Sequence, residues 1–325
     1  MAGMGNNCMD NKCLICTSAF TAAPFRVVEM MFGTQEPFDY AMCPECASLQ
    51  ICDTPTDLGR YYCGDGYYSY QAAYASGLKG RMRRMRDASY FGGGGPLGRL
   101  MARCQPALLM QVLAEAGLTR DQRILDVGCG AGLLLDRLAL IGFRQLSGVD
   151  PFIPDEVRTP AGVIVRKTRF NEIAAPQDVI MFHHSLEHVP DPAAELRHAA
   201  TLLKDGGRCI VRVPTPSSSI WKNYGVHWVQ LDAPRHIFLP SRTGIARLAV
   251  RTGFILEKVI DDSWAFGFWG SELYRRGIAL HGPEGAVDPS DHFEAKQIAE
   301  WAKMATNLNA SGEGDQVAFV LRAIN

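Results

Sequence analysis

The stretch Arg123-Ile124-Leu125-Asp126-Val127-Gly128-Cys129-Gly130-Ala131-Gly132-Leu133-Leu134-Leu135-Asp136 constrains this chain more than any other. A short apolar run enters a glycine-rich turn, and a leucine-rich helical pattern leaves it. That order predicts a buried parallel strand, a tight loop and a crossover helix. Glycines there let a ligand approach the backbone, and the helix N-terminus presents unpaired N–H groups to it. Glycines stand at 128, 130 and 132 while 133 is leucine, so the G-x-G-x-x-G spacing of nicotinamide and flavin sites is absent. Farther on, Gly148-Val149-Asp150 reads as a second short strand ending in an acid. An acid about 20 residues beyond such a loop can hold a ribose diol through two hydrogen bonds.

The α/β pattern continues in order. Strands are expected at 123–127, 146–150, 163–166, 178–182, 208–213, 254–260 and 316–323, with helices near 97–117, 131–141 and 241–252. The fourth strand runs into His183-His184-Ser185-Leu186-Glu187-His188-Val189-Pro190-Asp191-Pro192. Ligands of such sheets bind at the carboxyl ends of strands, so this loop should face one. Asp191 with Pro192 behind it reads as an N-cap. Residues 217–242 form a long loop carrying Trp221, Tyr224, His227, Trp228, Asp232, Arg235 and His236. A loop that long inside a domain is usually functional. Residues 264–312 read as an aromatic and helical insertion.

The N-terminal part is different. Cys13-Leu14-Ile15-Cys16 and Cys43-Pro44-Glu45-Cys46 are two C-x-x-C pairs flanking strand-like segments. Each pair can bring two thiolates to one ion, and two pairs complete a tetrahedral four-cysteine site suited to structural zinc. Hairpins of this size have no core and are held by such a metal. Cys8, Cys52 and Cys63 stand outside the pattern, and disulfides are not expected of them in a chain with no secretory signal. Residues 58–91 carry many tyrosines and the basic run Lys79 to Arg86, and Gly92-Gly93-Gly94-Gly95-Pro96 reads as a break. The expected division is a zinc-ribbon-like segment at 1–57, a Tyr/Arg-rich connector or lid at 58–96, and an α/β domain at 97–325 with the insertion at about 264–312.

Composition narrows the function classes. A formal net charge of −1 opposes a nucleic-acid partner, even though the ribbon and the arginine run would allow one. No apolar run approaches the ~20 residues that span a bilayer. Residues 1–12 are small and polar, without the apolar core of a leader, so the cytoplasm is the expected location.

The order D-x-G-x-G-x-G followed by the acid of the next strand resembles motif I of class I S-adenosylmethionine (AdoMet) methyltransferases. The segment SLEHVPDP resembles the loop after strand four in their ubiquinone-biosynthesis-like branch. HWVQLDAPRHIFLPS, with the cysteine knuckles and the tyrosine-rich connector, is similar to methyltransferases of sugars and surface polysaccharides. The resemblance implies a Rossmann-like fold: a seven-stranded, mostly parallel sheet whose last strand runs antiparallel beside strand six. Carried over, the cofactor residues are Asp126, Gly128, Cys129, Gly130, Gly132, Asp150, Pro151, His183 and His184. Phe170 is a candidate for stacking on the adenine or, equally, a core residue.

An alcohol acceptor must lose its proton as the methyl bond forms, and histidine suits that near neutral pH. By loop position the candidates are His236, His184 and His227, with Asp232 orienting an imidazole. The expected function is AdoMet-dependent O-methylation of a sugar or glycan intermediate. The alternatives are methylation of a small aromatic or quinone-like metabolite, and an inactive methyltransferase fold that docks a protein partner. A second copy of the chain is a candidate partner.

Overall fold

The computed structural model describes residues 12–62, 74, 77–282 and 285–324. Expectations resting on Cys8, Cys63, Tyr67, Tyr68 and Tyr70 lie outside the described residues. Cys52 is disulfide-bonded, contrary to the expectation of reduced thiols throughout.

Strands β1 (Phe25–Val28), β2 (Pro37–Met42) and β3 (Leu49–Ile51) precede the first helices, α1 (Gly77–Ser89), α2 (Gly95–Cys104) and α3 (Leu108–Glu115). The α/β part then runs β4 (Arg123–Val127), α4 (Leu133–Leu140), β5 (Gln145–Val149), β6 (Val157–Arg158), β7 (Ile164–Arg166), β8 (Gln177–His183), α5 (Pro192–Leu202) and β9 (Leu203–Pro214). After it come α6 (Ser219–Tyr224), β10 (Phe238–Leu239), α7 (Arg242–Arg251), β11 (Phe254–Asp261), α8 (Phe266–Arg275), β12 (His281–Gly282), β13 (Gly285–Ala286), α9 (Ala295–Ser311) and β14 (Gln316–Ala323).

The main sheet has eight strands in the order β11-β14-β9-β8-β4-β5-β7-β6. Pairs β4–β5, β4–β8, β5–β7 and β8–β9 are parallel. The last strand, β14, enters between β11 and β9 and is antiparallel to both. This is the expected Rossmann-like sheet with one addition, the two-residue strand β6 antiparallel to β7 at the edge. Central strands covered on both faces should be apolar throughout. Accordingly Val179, Ile180, Met181 and Phe182 of β8 are all buried, as are Val317 to Leu321 of β14.

Three local expectations change. The single helix at 97–117 is two, α2 and α3, because Pro106 has no N–H to continue the ladder and disfavours a helical residue before it. The glycine run is a tight turn. Gly94 has φ 71°, and a Cβ on Gly98 would fall 2.4 Å from the Met85 carbonyl, so the two helices close on each other there. The fifth strand starts at Leu203, straight from α5, with a register shift opposite Gln177 and Val179. Gly206, at φ 73°, lies in the extra residues. The N-cap expectation holds: Asp191 accepts from the Ala194 N–H at 2.9 Å.

The long loop is not structureless. It contains α6, two short 3₁₀ turns and β10. β10 leaves the α/β part altogether and pairs with β3, completing a four-stranded sheet in the order β1-β2-β3-β10. One continuous apolar cluster runs from Cys13, Ile15, Tyr40 and Leu49 through Trp228 and Phe238 to Val211 and Phe319. Among the described residues no helix is long and apolar enough to cross a membrane.

Phe319 sits fully buried in the middle of β14, between the two strands that flank it. Phe319→Ala is expected to cost about 3–5 kcal/mol of stability, measured by urea unfolding. A loss below about 1 kcal/mol would contradict the central position of β14.

Candidate active site

The loop after β4 turns because its glycines take backbone angles that other residues rarely adopt: φ is 72° at Gly128, 53° at Gly130 and 77° at Gly132. The space is also closed to a side chain. A Cβ on Gly128 would meet Ser185 Cβ at 2.5 Å, and one on Gly132 would meet Val165 at 2.7 Å. Asp150 stands at the end of β5, nearly buried, where its carboxylate accepts from the N–H groups of Gly130 and Phe152, each at 2.9 Å. The acid and the glycine loop are thus bonded into one cradle. Each carboxylate oxygen keeps a lone pair for a further donor. Asp126 lies behind it, 2% exposed, and its Oδ1 has no partner among the described residues. These features fit a ribose-bearing cofactor: an acid for the diol, a backbone a ligand can approach, and an orphaned buried oxygen.

Burial, with the nearby Asp150 charge, pushes the Asp126 carboxyl up to about 8. Burial likewise raises the Cys129 thiol well above its ordinary value, so this thiol stays protonated and unreactive. Pro151 follows Asp150 in the turn. Phe152, beyond it, is 78% exposed although aromatic. Sequence reading passed over Phe152, although an aromatic just after the strand-ending acid was visible. Phe170 is 5% exposed and packs edge-on to Phe182 at 5.6 Å and to His198 at 4.8 Å, so its ring is used by the core. Tyr74 closes one side of the cradle, donating to the Ala131 carbonyl at 3.0 Å.

Next to the cradle, the loop after β8 meets the segment before β10. Ser185 donates to the Val127 carbonyl at 2.6 Å, locking the two loops together. His184 adopts φ 53°, a left-handed angle rare for a non-glycine residue and commonly retained where function needs it. Its Nδ1 is 3.3 Å from Glu187 Oε1. His236 Nε2 is 3.9 Å from both Glu187 Oε1 and Asp232 Oδ2, and the His188 and His236 rings are 4.9 Å apart. Backbone carbonyls orient both imidazoles: His188 Nδ1 faces Arg235 O at 2.8 Å and His236 Nδ1 faces Gln230 O at 2.8 Å. Each Nδ1 must therefore carry the proton, which leaves Nε2 as the basic nitrogen.

Glu187 is completely buried, and its Oε2 has no partner among the described residues. Burial alone would raise its pKa. The hydrogen bond from His184 and the charges of His188, His184 and His236 outweigh that and hold it at about 2. Burial lowers His188, and burial with the Arg212 guanidinium lowers His183 far below the usual imidazole range, so His183 is neutral. Glu187, His188 and His236 each offer one atom within 4.8 Å of the others, close enough for a single cation.

The structure thus gathers His184, His236 and Asp232, but not His227. That residue is exposed at the end of the 3₁₀ turn Gly225–His227. Glu187 and His188, from the loop after β8, sit at the centre of the cluster. Glu29 and Tyr62 were missed altogether, since only the folded chain carries them there. Arg235 is fully buried and bonds Glu29 Oε1 at 2.9 Å, Asp232 Oδ1 at 2.6 Å and the Tyr61 carbonyl at 3.3 Å. A crevice of about 540 Å³ lined by Tyr90, Phe91, Arg120 and Arg144 lies instead at the amino ends of β4 and β5, the wrong end of the sheet for this chemistry.

The four cysteines also converge. Cys13 and Cys46 sulfurs are 3.7 Å apart, and those of Cys16 and Cys43 are 3.5 Å apart. A tetrahedral zinc with bonds of about 2.3 Å spaces its sulfurs by about 3.8 Å, so the set fits. The knuckles have the same bonding: Thr17 N to Cys13 O and Ala47 N to Cys43 O, both 2.8 Å. Neighbouring donors pull the Cys46 thiol down to about 5, while Cys13 is raised by its hydrogen bond to Cys46 and by burial.

Because Asp126 is raised from its ordinary value to about 8, the native state binds a proton there that the unfolded chain has lost. Its contribution therefore destabilises the fold progressively as pH rises from about 4 to 8. Asp126→Asn is expected to be more stable than the parent at pH 8, on the order of a few kcal/mol, with the difference shrinking towards pH 4. Thermal melts at the two pH values measure this, and a pH-independent difference would refute it.

Comparison with known proteins agrees with this cradle. Residues 101–259 match the family model described as a methyltransferase domain. The ubiquinone biosynthesis O-methyltransferase of Bordetella pertussis is 34% identical over 143 residues, covering 40% of this chain and 59% of that enzyme. The enzyme of the same name from Xanthomonas euvesicatoria is 40% identical over 127 residues, 35% of this chain and 52% of the relative. The chain spans about half the length of these curated relatives. Among solved structures, the cyclopropane synthase MmaA2 of Mycobacterium tuberculosis aligns with a TM-score of 0.43 at 19% identity, covering 67% of this chain and 84% of that one. The glycine cradle and the strand-ending acid lie within residues 101–259, the stretch that matches the methyltransferase domain.

Proposed function

We propose that the protein is an AdoMet-dependent O-methyltransferase acting on a hydroxyl of a sugar or glycan intermediate. The observation that carries this reading is the junction of two sites. The Asp150–Gly130 cradle adjoins, through the Ser185–Val127 bond, a cluster of acceptor groups from Glu187, His188, His236 and Asp232. AdoMet, when bound, supplies a methyl carbon already made electrophilic by its sulfonium. Asp150 holds the ribose diol, and the loop Gly128 to Gly132 with Cys129 takes the rest of the nucleoside and amino acid. Pro151 and His183 border it.

The protein's remaining tasks are to align the acceptor oxygen, exclude water and take a proton. Nε2 of His236 and the ring of His184 are the groups for the last task, with Asp232 and Glu187 favouring the imidazolium that forms. A wall of carboxylate and imidazole acceptors suits an acceptor that donates several hydrogen bonds, as a sugar does. The rings that would make an apolar pocket are engaged with each other: Phe266 lies 4.8 Å from Trp269 and 5.4 Å from Trp264. The second reading, a small aromatic or quinone-like acceptor, draws on the names of the curated relatives. In both readings the segments 1–57, 58–96 and 97–325 are the proposed divisions, with zinc on Cys13, Cys16, Cys43 and Cys46.

Calorimetry is expected to detect AdoMet and its demethylated product, and Asp150→Ala should weaken both by at least about tenfold while the fold persists. With labelled AdoMet and fractionated extract, label should enter glycan or sugar intermediates. Entry into small aromatics selects the second reading. Absence of any AdoMet heat from folded protein overturns both. His236→Ala or His184→Ala should then cut turnover by about 10²–10⁴ with AdoMet affinity kept. Full rates in both variants would eliminate these bases.

A further inference from the structure

Several contacts of the cysteine module lead to the histidine cluster. β3 of the module pairs with β10, which starts two residues after His236, and Ile51 donates to the Ile237 carbonyl at 2.9 Å. Ile237 in turn donates to the Glu187 carbonyl at 2.9 Å. Tyr40, on the middle strand of the module and fully buried, donates its hydroxyl to the His236 carbonyl at 2.7 Å. The Tyr62 hydroxyl lies 3.1 Å from His188 Nδ1 and 3.5 Å from the Arg235 carbonyl. Glu29 pairs with Arg235, the residue before His236.

The other end of these routes is the sulfur cluster. Cys46 bonds Ser48 through its thiol at 3.3 Å. Ser48 Oγ accepts from the Ser241 N–H at 3.0 Å, and the Ser241 hydroxyl donates to the Cys46 carbonyl. Ser241 follows β10 and caps α7, accepting from Gly244 at 2.8 Å. The segment from Arg235 to Ser241 is thus gripped from both sides by residues within the C-x-x-C module or just beyond it. The module's apolar side chains pack into the common core, but four uncoordinated thiols at 3.5–3.7 Å do not cross-link its two knuckles as a bound ion would.

We infer that the cysteine module is one wall of the methyl-acceptor site, and that an ion on its four sulfurs keeps His236 and His188 in place through Tyr40, Tyr62 and the β3–β10 pairing. Tyr40 and Tyr62 are positioning residues, acting through the two imidazoles rather than on the acceptor. The AdoMet cradle hangs on β4, β5 and β8, whose bonds do not pass through the module, so cofactor binding should survive loss of the ion. The role given to His236 rests on the methyltransferase reading, whereas the coupling itself is a structural statement that can be tested without any acceptor.

The test uses the full chain. Zinc per chain is measured by mass spectrometry, AdoMet affinity by calorimetry, and the imidazoles by long-range ¹H–¹⁵N spectra, with His236→Gln and His188→Gln assigning their signals. Stripping the metal, or Cys43→Ser, should remove zinc and shift the His236 and His188 signals. The AdoMet Kd should stay within about twofold. The His198 signals, from a ring held by the carbonyls of Phe170 and Ile173, should stay put. Zinc returned to the stripped parent should restore the spectrum. Tyr40→Phe should keep its zinc and its AdoMet affinity while moving the His236 signals.

Unchanged His236 and His188 signals after zinc loss would overturn the inference. So would simultaneous loss of AdoMet binding, because the ion would then hold the whole fold rather than this wall. A silent Tyr40→Phe spectrum would remove Tyr40 from the route and overturn its assignment. If the untreated protein binds no AdoMet, the methyltransferase reading falls alone, and the coupling is still decided by the spectra.

Discussion

A guanidinium with no access to solvent dictates much of this structure. Arg235 is fully buried, and burying an unpaired charge costs several kcal/mol. It is satisfied by Glu29, itself fully buried, by Asp232, and by the Tyr61 carbonyl, while the ring of Phe32 lies 5.4 Å from its centre. Those partners come from three separate stretches of chain. The charge can be accommodated only when the cysteine module, the segment after it and the long loop are assembled together. A buried ion pair of this kind adds little net stability compared with apolar packing. Removing one partner, however, strands the rest. Here its effect is to tie the loop carrying His236 to one arrangement.

That arrangement explains how one sheet serves two tasks. The carboxyl ends of β4 and β5 form a rigid cradle, because the glycine loop and Asp150 bond to each other and Ser185 bonds across to Val127. The carboxyl end of β8, on the same edge of the sheet, leads to imidazoles oriented by backbone carbonyls and to the carboxylates beside them. The first task needs a surface complementary to a nucleoside. The second needs basic nitrogens with a fixed tautomer beside an anion that stays ionised. Burial raises both carboxyls, with opposite outcomes. It keeps Asp126 protonated, with no cation to oppose it, whereas the imidazoles around Glu187 overcome burial and keep that carboxylate charged.

Strand register fixes the histidine cluster further than the loops alone would. His183 pairs with Arg212 across β8 and β9, and His184 donates its N–H to the Arg212 carbonyl at 2.9 Å. Arg212 in turn is neutralised by Asp262 at the end of β11, so the antiparallel strands on that side of the sheet help set the position of the histidine loop. The insertion supports the same region from outside: Ser271 of α8 accepts from the Val229 N–H at 3.0 Å, within the long loop.

The sequence by itself determined what depends on neighbours along the chain. The glycine loop between an apolar run and a helix, the acid after Val149, the Asp191 cap and the paired cysteines are all local patterns, and each appears where local chemistry puts it. The interruption at Pro106 was local too, but helical periodicity on both sides masked it. What tertiary structure decided depends on residues far apart in sequence. No periodicity says that Phe238 and Leu239 will leave the α/β domain to complete the cysteine module's sheet, or that Glu29 will meet Arg235. Nor does spacing show that Glu187, with no solvent to charge against, will find three imidazoles. Such groups are brought together by the need to satisfy buried charges and strand edges across the whole fold, and that requirement exists only once the chain has closed on itself.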